Sequence, residues 1–318
     1  MDIALLGIPL GFVLLYIGAN WLVDNAKRIA FILGVSPFVI GLTVVAFGSS
    51  APEAALSVMS SKSADIVLGN VIGSNIANIG LAVGLSAIIF PLSTRFDTVR
   101  FEVWVMLLAT FFITFFAWTG GFGFLHGLLF IALIVTFIYT VYRKSLGDPL
   151  REMVDETVEV KADRSQLGRY LLMTILGLAA LIVGANVFVD GAVVLADMLN
   201  VSELVIGLIV VALGTSLPEL SICLVAAFKK ETEIILSNII GSNIFNALFV
   251  LGLGALVAPI AVPSGMLSLD FPVMILLSVM LVLAIRSYGM VSRWEGAVLF
   301  AVYLLYVAVL LMPSLLVF

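Results

Sequence analysis

Long apolar stretches alternate with short polar segments along the whole chain. Ten stretches are apolar enough, and at roughly 20 residues long enough, to cross the roughly 30 Å hydrocarbon core of a bilayer as helices. They lack the strict apolar–polar alternation that is typical of a membrane β-barrel. Because lipid offers the backbone no hydrogen bonds, the pattern predicts an all-α integral membrane protein. The predicted spans are 3–23, 36–60, 66–90, 100–118, 123–142, 168–190, 202–228, 233–257, 268–286 and 295–315.

Composition supports a membrane protein. Hydrophobic residues make up 63% of the 318 residues and charged residues 11%, whereas a soluble domain carries roughly 25% charged residues. The lipid bilayer is therefore the expected surrounding, and the sequence indicates neither a nucleic-acid partner nor a protein partner. Two less apolar segments, 24–35 and 191–201, are expected to form short interfacial helices that join neighbouring spans.

Positive charges predict the orientation. In the ten-span arrangement, 14 of the 15 Lys and Arg residues lie on one side and only Lys62 lies on the other. Since loops rich in Lys and Arg stay in the cytoplasm, we expect both termini outside and the polar linker 143–167 inside. The start of the sequence predicts no signal peptide. Short loops and the lack of targeting signals favour the plasma (inner) membrane of a prokaryote.

The two halves of the chain resemble each other. Gly-Ser-Ser-Ala-Pro-Glu at 48–53 recurs as Gly-Thr-Ser-Leu-Pro-Glu at 214–219, and the segment 70–78 recurs at 238–246. Five spans separate matching segments, so equivalent helices must cross the membrane in opposite directions. Inverted repeats of this kind are a common plan of secondary transporters, whose site lies near the midplane. We therefore predict two inverted five-helix repeats, 1–142 and 168–318, joined by the linker 143–167.

Two acidic residues, Glu53 and Glu219, fall deep inside predicted spans, and the repeat maps one onto the other. An ionised side chain at the bilayer centre costs at least about 2.5–3.5 kcal/mol. Neither half offers a buried Lys or Arg to offset that charge, so a bound cation is the simplest partner. A protonated, hydrogen-bonded glutamate is the alternative.

The residues around each glutamate supply further oxygen atoms. Pro52 and Pro218 remove a helical hydrogen bond and should kink or unwind each helix just before its glutamate. Hydroxyl groups three and four residues earlier lie on the carboxylate's face of the helix. These hydroxyls belong to Ser49, Ser50, Thr215 and Ser216.

Spans three and eight each carry a polar stripe with a spacing of four residues. The stripes are Asn70, Ser74 and Asn78, and Asn238, Ser242 and Asn246. They could line an ion path or form interhelical hydrogen bonds at a seam of small residues. Gly69, Gly73 and Gly241 are expected to allow close approach of neighbouring helices.

All these candidate ligands are oxygen atoms, which suit calcium with its 6–8 ligands. Soft-metal ligands are scarce, since His126 and Cys223 are the only His and Cys and lie far apart in sequence; the single cysteine also excludes an intrachain disulfide. Two carboxylates balance one divalent ion or two monovalent ions. Competition between Ca²⁺ and Na⁺ for one site is therefore physically natural.

These motifs resemble the two α-repeats of the cation/calcium antiporter superfamily, and the nearest branch is its prokaryotic sodium/calcium exchangers. The resemblance covers nearly the whole chain. It implies that spans one and six slide across the core and that calcium binds Glu53 and Glu219, helped by the backbone carbonyls of Ser49 and Thr215. It also implies two sets of sodium ligands, and the polar stripes add the amides of Asn78 and Asn246 to the candidate ligands. The sodium sets are Ala46, Ser50 and Ser74, and Ala212, Ser216 and Ser242.

Two positions depart from the pattern of that superfamily. Asn246 stands where some members carry Asp, including branches that also transport potassium, so the amide argues against potassium coupling. Ser49 stands where Thr is common, which should preserve its carbonyl role. The Gly-Asn-Ala-x-Glu pattern of the proton-coupled branch is absent from this sequence.

The function predicted from the sequence is sodium/calcium exchange by alternating access, with Ca²⁺ and Na⁺ as transported ions and no organic cofactor. A calcium/proton antiporter that uses the same glutamates remains an alternative, and a passive cation channel is a further one. An enzyme is not expected, because the sequence has no Gly-x-Ser-x-Gly elbow, paired Asp or metal-spaced His.

Overall fold

The architecture is that of a helical bundle. A computed structural model describes residues 3–60, 63–94, 96–146, 164–198 and 214–311. Ten helices form the bundle within these ranges. They are α1 (Gly7–Leu33), α2 (Pro37–Met59), α3 (Ala64–Ile89), α4 (Phe96–Trp118), α5 (Phe124–Leu146), α6 (Leu167–Met198), α7 (Leu217–Phe228), α8 (Thr232–Val257), α9 (Asp270–Tyr288) and α10 (Arg293–Leu311).

The all-α membrane fold predicted from the sequence is confirmed. Nine helices of the described part are long and apolar enough to span a bilayer. The tenth, α7, is shorter because the seventh predicted span, 202–228, is described only from residue 214. Most of the linker, residues 147–163, also lies outside the described ranges, and the domain boundaries stay a prediction.

The expected interfacial helices at 24–35 and 191–201 are wrong as separate elements. Residues 24–33 continue α1 without a break, and residues 191–198 continue α6. Neither Pro nor Gly interrupts the first helix between Gly18 and Gly34, so the helical hydrogen bonds persist beyond the apolar stretch. Gly34, with a φ of 65°, then ends α1 in the left-handed conformation that glycine adopts readily.

Helices α1 and α6 form an antiparallel pair along a seam of glycines. A Cβ atom added to Gly18 would lie 2.6 Å from the carbonyl oxygen of Gly177, and one added to Gly11 would lie 2.7 Å from that of Gly184. Residues early in α1 therefore meet residues late in α6. Since the repeat maps α1 onto α6, this antiparallel contact shows directly that the repeat is inverted.

Loop contacts on the two faces follow the same symmetry. The strands β1 (Leu92–Ser93) and β2 (Met290–Val291) pair between the loops α3–α4 and α9–α10. On the opposite face, Phe122 and Ile260 pair between the loops α4–α5 and α8–α9. A sequence offset of 168 relates the two contacts, so both ends of the bundle are tied in the same way.

Helices α3 and α8 occupy the centre of the bundle. In an apolar stretch of 18 residues, 78% of α3 and 83% of α8 is buried, whereas at most 50% is buried in the corresponding stretches of the other seven long helices. Each contains one π-helical turn at an equivalent position, Asn78–Val83 in α3 and Phe245–Val250 in α8. Turns of this kind are frequent at functional sites. The two polar stripes therefore lie at the centre of the protein.

The glycine seam between α1 and α6 predicts that one added methyl group lowers the stability of the protein. Gly18→Ala should lower the free energy of unfolding by about 1–3 kcal/mol, because its Cβ would meet main-chain atoms of Gly177 and Leu181 that cannot yield. Thermal unfolding of the detergent-solubilised protein measures the change. Gly168→Ala is the matched control, since nothing lies within 4 Å of its added Cβ. Equal unfolding temperatures for both variants would contradict the close packing of α1 on α6.

Candidate cation site

The two candidate carboxylates lie just after breaks in two helices of the bundle. Helix α2 is interrupted at Ser50, whose φ and ψ of −84° and 7° are not helical, and α7 begins after Ser216 with nearly the same values, −87° and 0°. In both cases proline occupies the first turn of the new helix, where its missing N–H costs nothing. The predicted break is therefore confirmed before Glu53; Ser216 has the same non-helical conformation before Glu219, where residues 199–213 lie outside the described ranges.

Both carboxylates are completely buried, with 0% exposure for Glu53 and for Glu219. In the described part of the chain, three of the four carboxylate oxygens accept no hydrogen bond, namely both oxygens of Glu53 and Oε2 of Glu219. Burial without partners is costly for such groups.

Hydroxyl groups join the two repeats around these carboxylates. Ser50 Oγ donates to Glu219 Oε1 at 3.3 Å, which links the broken segment of α2 to α7. The hydroxyls of Ser74 and Thr215 lie 3.3 Å apart and link α3 to the segment that precedes α7. Ligand candidates that are far apart in sequence are thus neighbours in space.

Several further candidate atoms are buried and unbonded among the described residues. They belong to residues that the sequence predicts for the site, and all except the Asn246 nitrogen are hydroxyl or amide oxygens. These atoms are Ser216 Oγ, Ser242 Oγ, Asn78 Oδ1, and both Asn246 Oδ1 and Asn246 Nδ2. Calcium and sodium prefer hard oxygen ligands of this kind.

Basic side chains do not neutralise the two glutamates within the described ranges. The three ion pairs there join Lys27 to Glu231, Lys144 to Glu102, and Lys229 to Asp24, and none includes Glu53 or Glu219. A cluster of three or more His, Cys, Asp or Glu side chains is likewise absent from the described residues. A cation bound here would therefore have two carboxylates and several neutral oxygens as ligands.

Close contact between α2 and α8 places the candidate ligand Ala46 beside Gly241. A Cβ atom on Gly241 would lie 2.6 Å from the Leu42 carbonyl oxygen and 2.7 Å from the Ala46 Cβ. Gly241 therefore lets α8 approach α2 beside Ala46, as expected. The same expectation is wrong for Gly69, where an added Cβ meets only Met266 Cε at 3.9 Å. Ala212 lies outside the described residues.

Ser49 and the first residue of each polar stripe make structural contacts. Ser49 Oγ is 3.3 Å from the Ala46 carbonyl and 3.5 Å from Asn238 Oδ1. Asn70 Nδ2 donates to the Glu53 carbonyl at 2.9 Å and to Ser57 Oγ at 3.1 Å. Because Asn70 donates both hydrogen bonds to α2, it fixes the helix that carries Glu53.

Sequence reasoning missed two features. Glu102 of α4 is buried as well, at 5% exposure, and pairs with Lys144 at 3.5 Å. Because it lies close to the start of a predicted span, the sequence did not indicate that it is buried. Asn75 and Asn243 connect α3 to α8 directly. Their recurrence in the Gly-Ser-Asn motif of both repeats was the available signal, but they fall outside the four-residue spacing of the stripes.

Comparison with known proteins finds a family and relatives that match nearly the whole chain. The family described as "Sodium/calcium exchanger protein" matches residues 3–143 and 169–312. The chain is 34% identical to Sodium/calcium exchanger MaX1 of Methanosarcina acetivorans, over 95% of this chain and 96% of that protein. It is 35% identical to Putative antiporter CaxA of Alkalimonas amylolytica, over 96% and 98% respectively.

Solved structures of the sodium-calcium exchanger NCX_Mj share the fold. One, soaked with Na⁺ and Sr²⁺, superposes with a TM-score of 0.84 at 34% identity and covers 97% of this chain and 99% of that one. The broken helices, the buried carboxylates and these matches over nearly the full length lead to one conclusion. The chain belongs to the sodium/calcium exchanger family.

Proposed function

We propose that this protein exchanges Na⁺ for Ca²⁺ across the membrane at the site between the broken helices α2 and α7. The observation that carries the proposal is the pair of completely buried carboxylates, of which three oxygens lack a partner in the described part of the chain. Buried charges are normally paired or bind metal ions. A relative that is 34% identical over nearly the full length and a solved structure with the same fold are sodium/calcium exchangers, which supports these two ions.

In this proposal Glu53 and Glu219 bind Ca²⁺ together with the main-chain carbonyls of Ser49 and Thr215. Sodium binds in two symmetry-related sets, and the amides of Asn78 and Asn246 complete the site. The sodium sets are Ala46, Ser50 and Ser74, and Ala212, Ser216 and Ser242. Because the two carboxylates balance either one Ca²⁺ or two Na⁺, the two kinds of ion compete for the same charge.

Alternating access follows from the inverted repeat. If each repeat adopts the conformation of the other, the shared site faces the opposite side of the membrane. Helices α1 and α6 pack on each other through main-chain contacts at glycines, so we propose that they move as one unit across α2, α3, α7 and α8. The uneven distribution of Lys and Arg supports an inner-membrane orientation with both termini outside.

Calcium-45 uptake into sodium-loaded liposomes that contain the purified protein tests the proposal. Uptake should require an outward sodium gradient and should stop when external sodium equals internal sodium. An internal pH dye should remain constant during uptake. Uptake without sodium, accompanied by a pH change, would instead make the protein a calcium/proton antiporter, and single-channel currents would indicate a channel.

A further inference from the structure

Two asparagines that belong to neither stripe connect the central helices. Asn75 Nδ2 donates to the main-chain carbonyl of Asn243, and Asn243 Nδ2 donates to the main-chain carbonyl of Asn75, both at 3.4 Å. Both side chains are at least 98% buried. The two residues occupy the same position in the two repeats, so this reciprocal pair lies on the pseudo-twofold axis that relates α3 to α8.

The pair determines how the amide of Asn78 is oriented. A main-chain carbonyl can only accept, so Asn243 must direct its Nδ2 toward Asn75, and its Oδ1 is then turned away as an acceptor. Asn78 Nδ2 donates to this oxygen at 3.0 Å. Asn78 Oδ1 is consequently the free atom, and it accepts no hydrogen bond from the described residues. The carbonyl of Asn75 thus fixes, through Asn243, which atom Asn78 offers.

The side related by the pseudo-twofold axis has the same groups, but one of the hydrogen bonds is not formed there. Asn75 Oδ1 has no donor among the described residues, and Asn246, the counterpart of Asn78, is unbonded there at both amide atoms. A bond from Asn246 Nδ2 to Asn75 Oδ1 would complete the symmetry and leave Asn246 Oδ1 free. An ionised aspartate at position 246 could not donate this hydrogen bond. The amide of Asn246 therefore supplies a donor that the aspartate would lack.

We propose that Asn243 is a positioning residue for the transported cation, because it holds Asn78 with the carbonyl oxygen, and not the amide nitrogen, toward the ion. This inference rests on the proposed function and adds to it the residue that selects the ligand atom. A cation is attracted by Oδ1 and repelled by the positive Nδ2 hydrogens, so the orientation determines whether Asn78 helps or opposes binding. Asn75 holds Asn246 in the same way once their bond forms.

The experiment is a double-mutant cycle on the calcium KM of sodium-driven uptake. Asn243→Leu removes the acceptor with little change in volume and frees the Asn78 amide to turn. We expect the KM to rise by about 10–100-fold, the usual effect of removing a group that orients a metal ligand. Asn78→Asp supplies two equivalent oxygens and no amide nitrogen. In that background Asn243→Leu should change the KM by less than about threefold, because no orientation is left to lose.

A role limited to packing would give a different result. Asn243→Leu would then raise the KM by the same factor whether position 78 carries Asn or Asp. Equal factors in the two backgrounds overturn the inference, and so does an unchanged KM in both. If Asn243→Leu does not fold, Asn243→Ser replaces it, since a serine hydroxyl is too short to reach Asn78. Glu53→Gln is measured in the same assay. Undiminished uptake in that variant overturns the cation site and this inference together, whereas loss of uptake leaves the cycle to decide the role of Asn243 alone.

Discussion

Calcium uptake should fall at least about 100-fold in Glu53→Gln and in Glu219→Gln, while both variants fold normally. Removing one member of a buried charge pair costs about 3–5 kcal/mol, and here the other member is the cation. Glutamine keeps the size of the side chain but carries no charge, so two charges on the ion would face a single carboxylate. Without the ion, the same change removes an uncompensated buried charge and should not destabilise the bundle.

Ligand-induced stabilisation separates binding from folding in these variants. Calcium should raise the unfolding temperature of the wild type in detergent, because an ion that binds only the folded state stabilises it. The rise should disappear in both glutamine variants. Glu102→Gln is the matched control, since Glu102 is also a buried carboxylate in a span but pairs with Lys144. Normal uptake in Glu53→Gln and Glu219→Gln would refute the assignment of the site.

Membrane physics made the overall architecture predictable from the sequence. Lipid leaves a chain few ways to satisfy its backbone, so long apolar stretches specify helices with little ambiguity. The inverted repeat was equally accessible, because polar motifs recurred in register after an odd number of spans. The break before Glu53 followed from the chemistry of the proline beside it.

Contacts between distant residues were not predictable in the same way. Hydropathy reports where a stretch leaves the membrane but not where a helix ends, so the continuation of α1 to Leu33 was missed. The neighbour of each glycine depends on tertiary packing, and this is why the same expectation of close helix approach was right for Gly241 but wrong for Gly69. The hydrogen bonds between Asn75 and Asn243 depend in the same way on how α3 crosses α8.

Gly241→Ala should abolish uptake and destabilise the protein by more than about 3 kcal/mol, the upper end of usual overpacking costs. The added Cβ would lie 2.6 Å from the carbonyl oxygen of Leu42 and 2.7 Å from the Cβ of Ala46. Neither atom belongs to a flexible side chain, so α2 and α8 must move apart. Such a shift would also displace Ala46 from the proposed sodium set.

Gly69→Ala is the control, and its effect on the free energy of unfolding should have the opposite sign. Its Cβ meets only Met266 Cε at an ordinary 3.9 Å, so the variant should gain up to about 1 kcal/mol from the higher helix propensity of alanine. Unfolding temperature and calcium uptake of the two purified variants measure both effects. If Gly241→Ala folded with normal uptake, α2 and α8 could not be as close as the structure has them. The cation site would then have to form without the close approach that brings Ala46 beside α8.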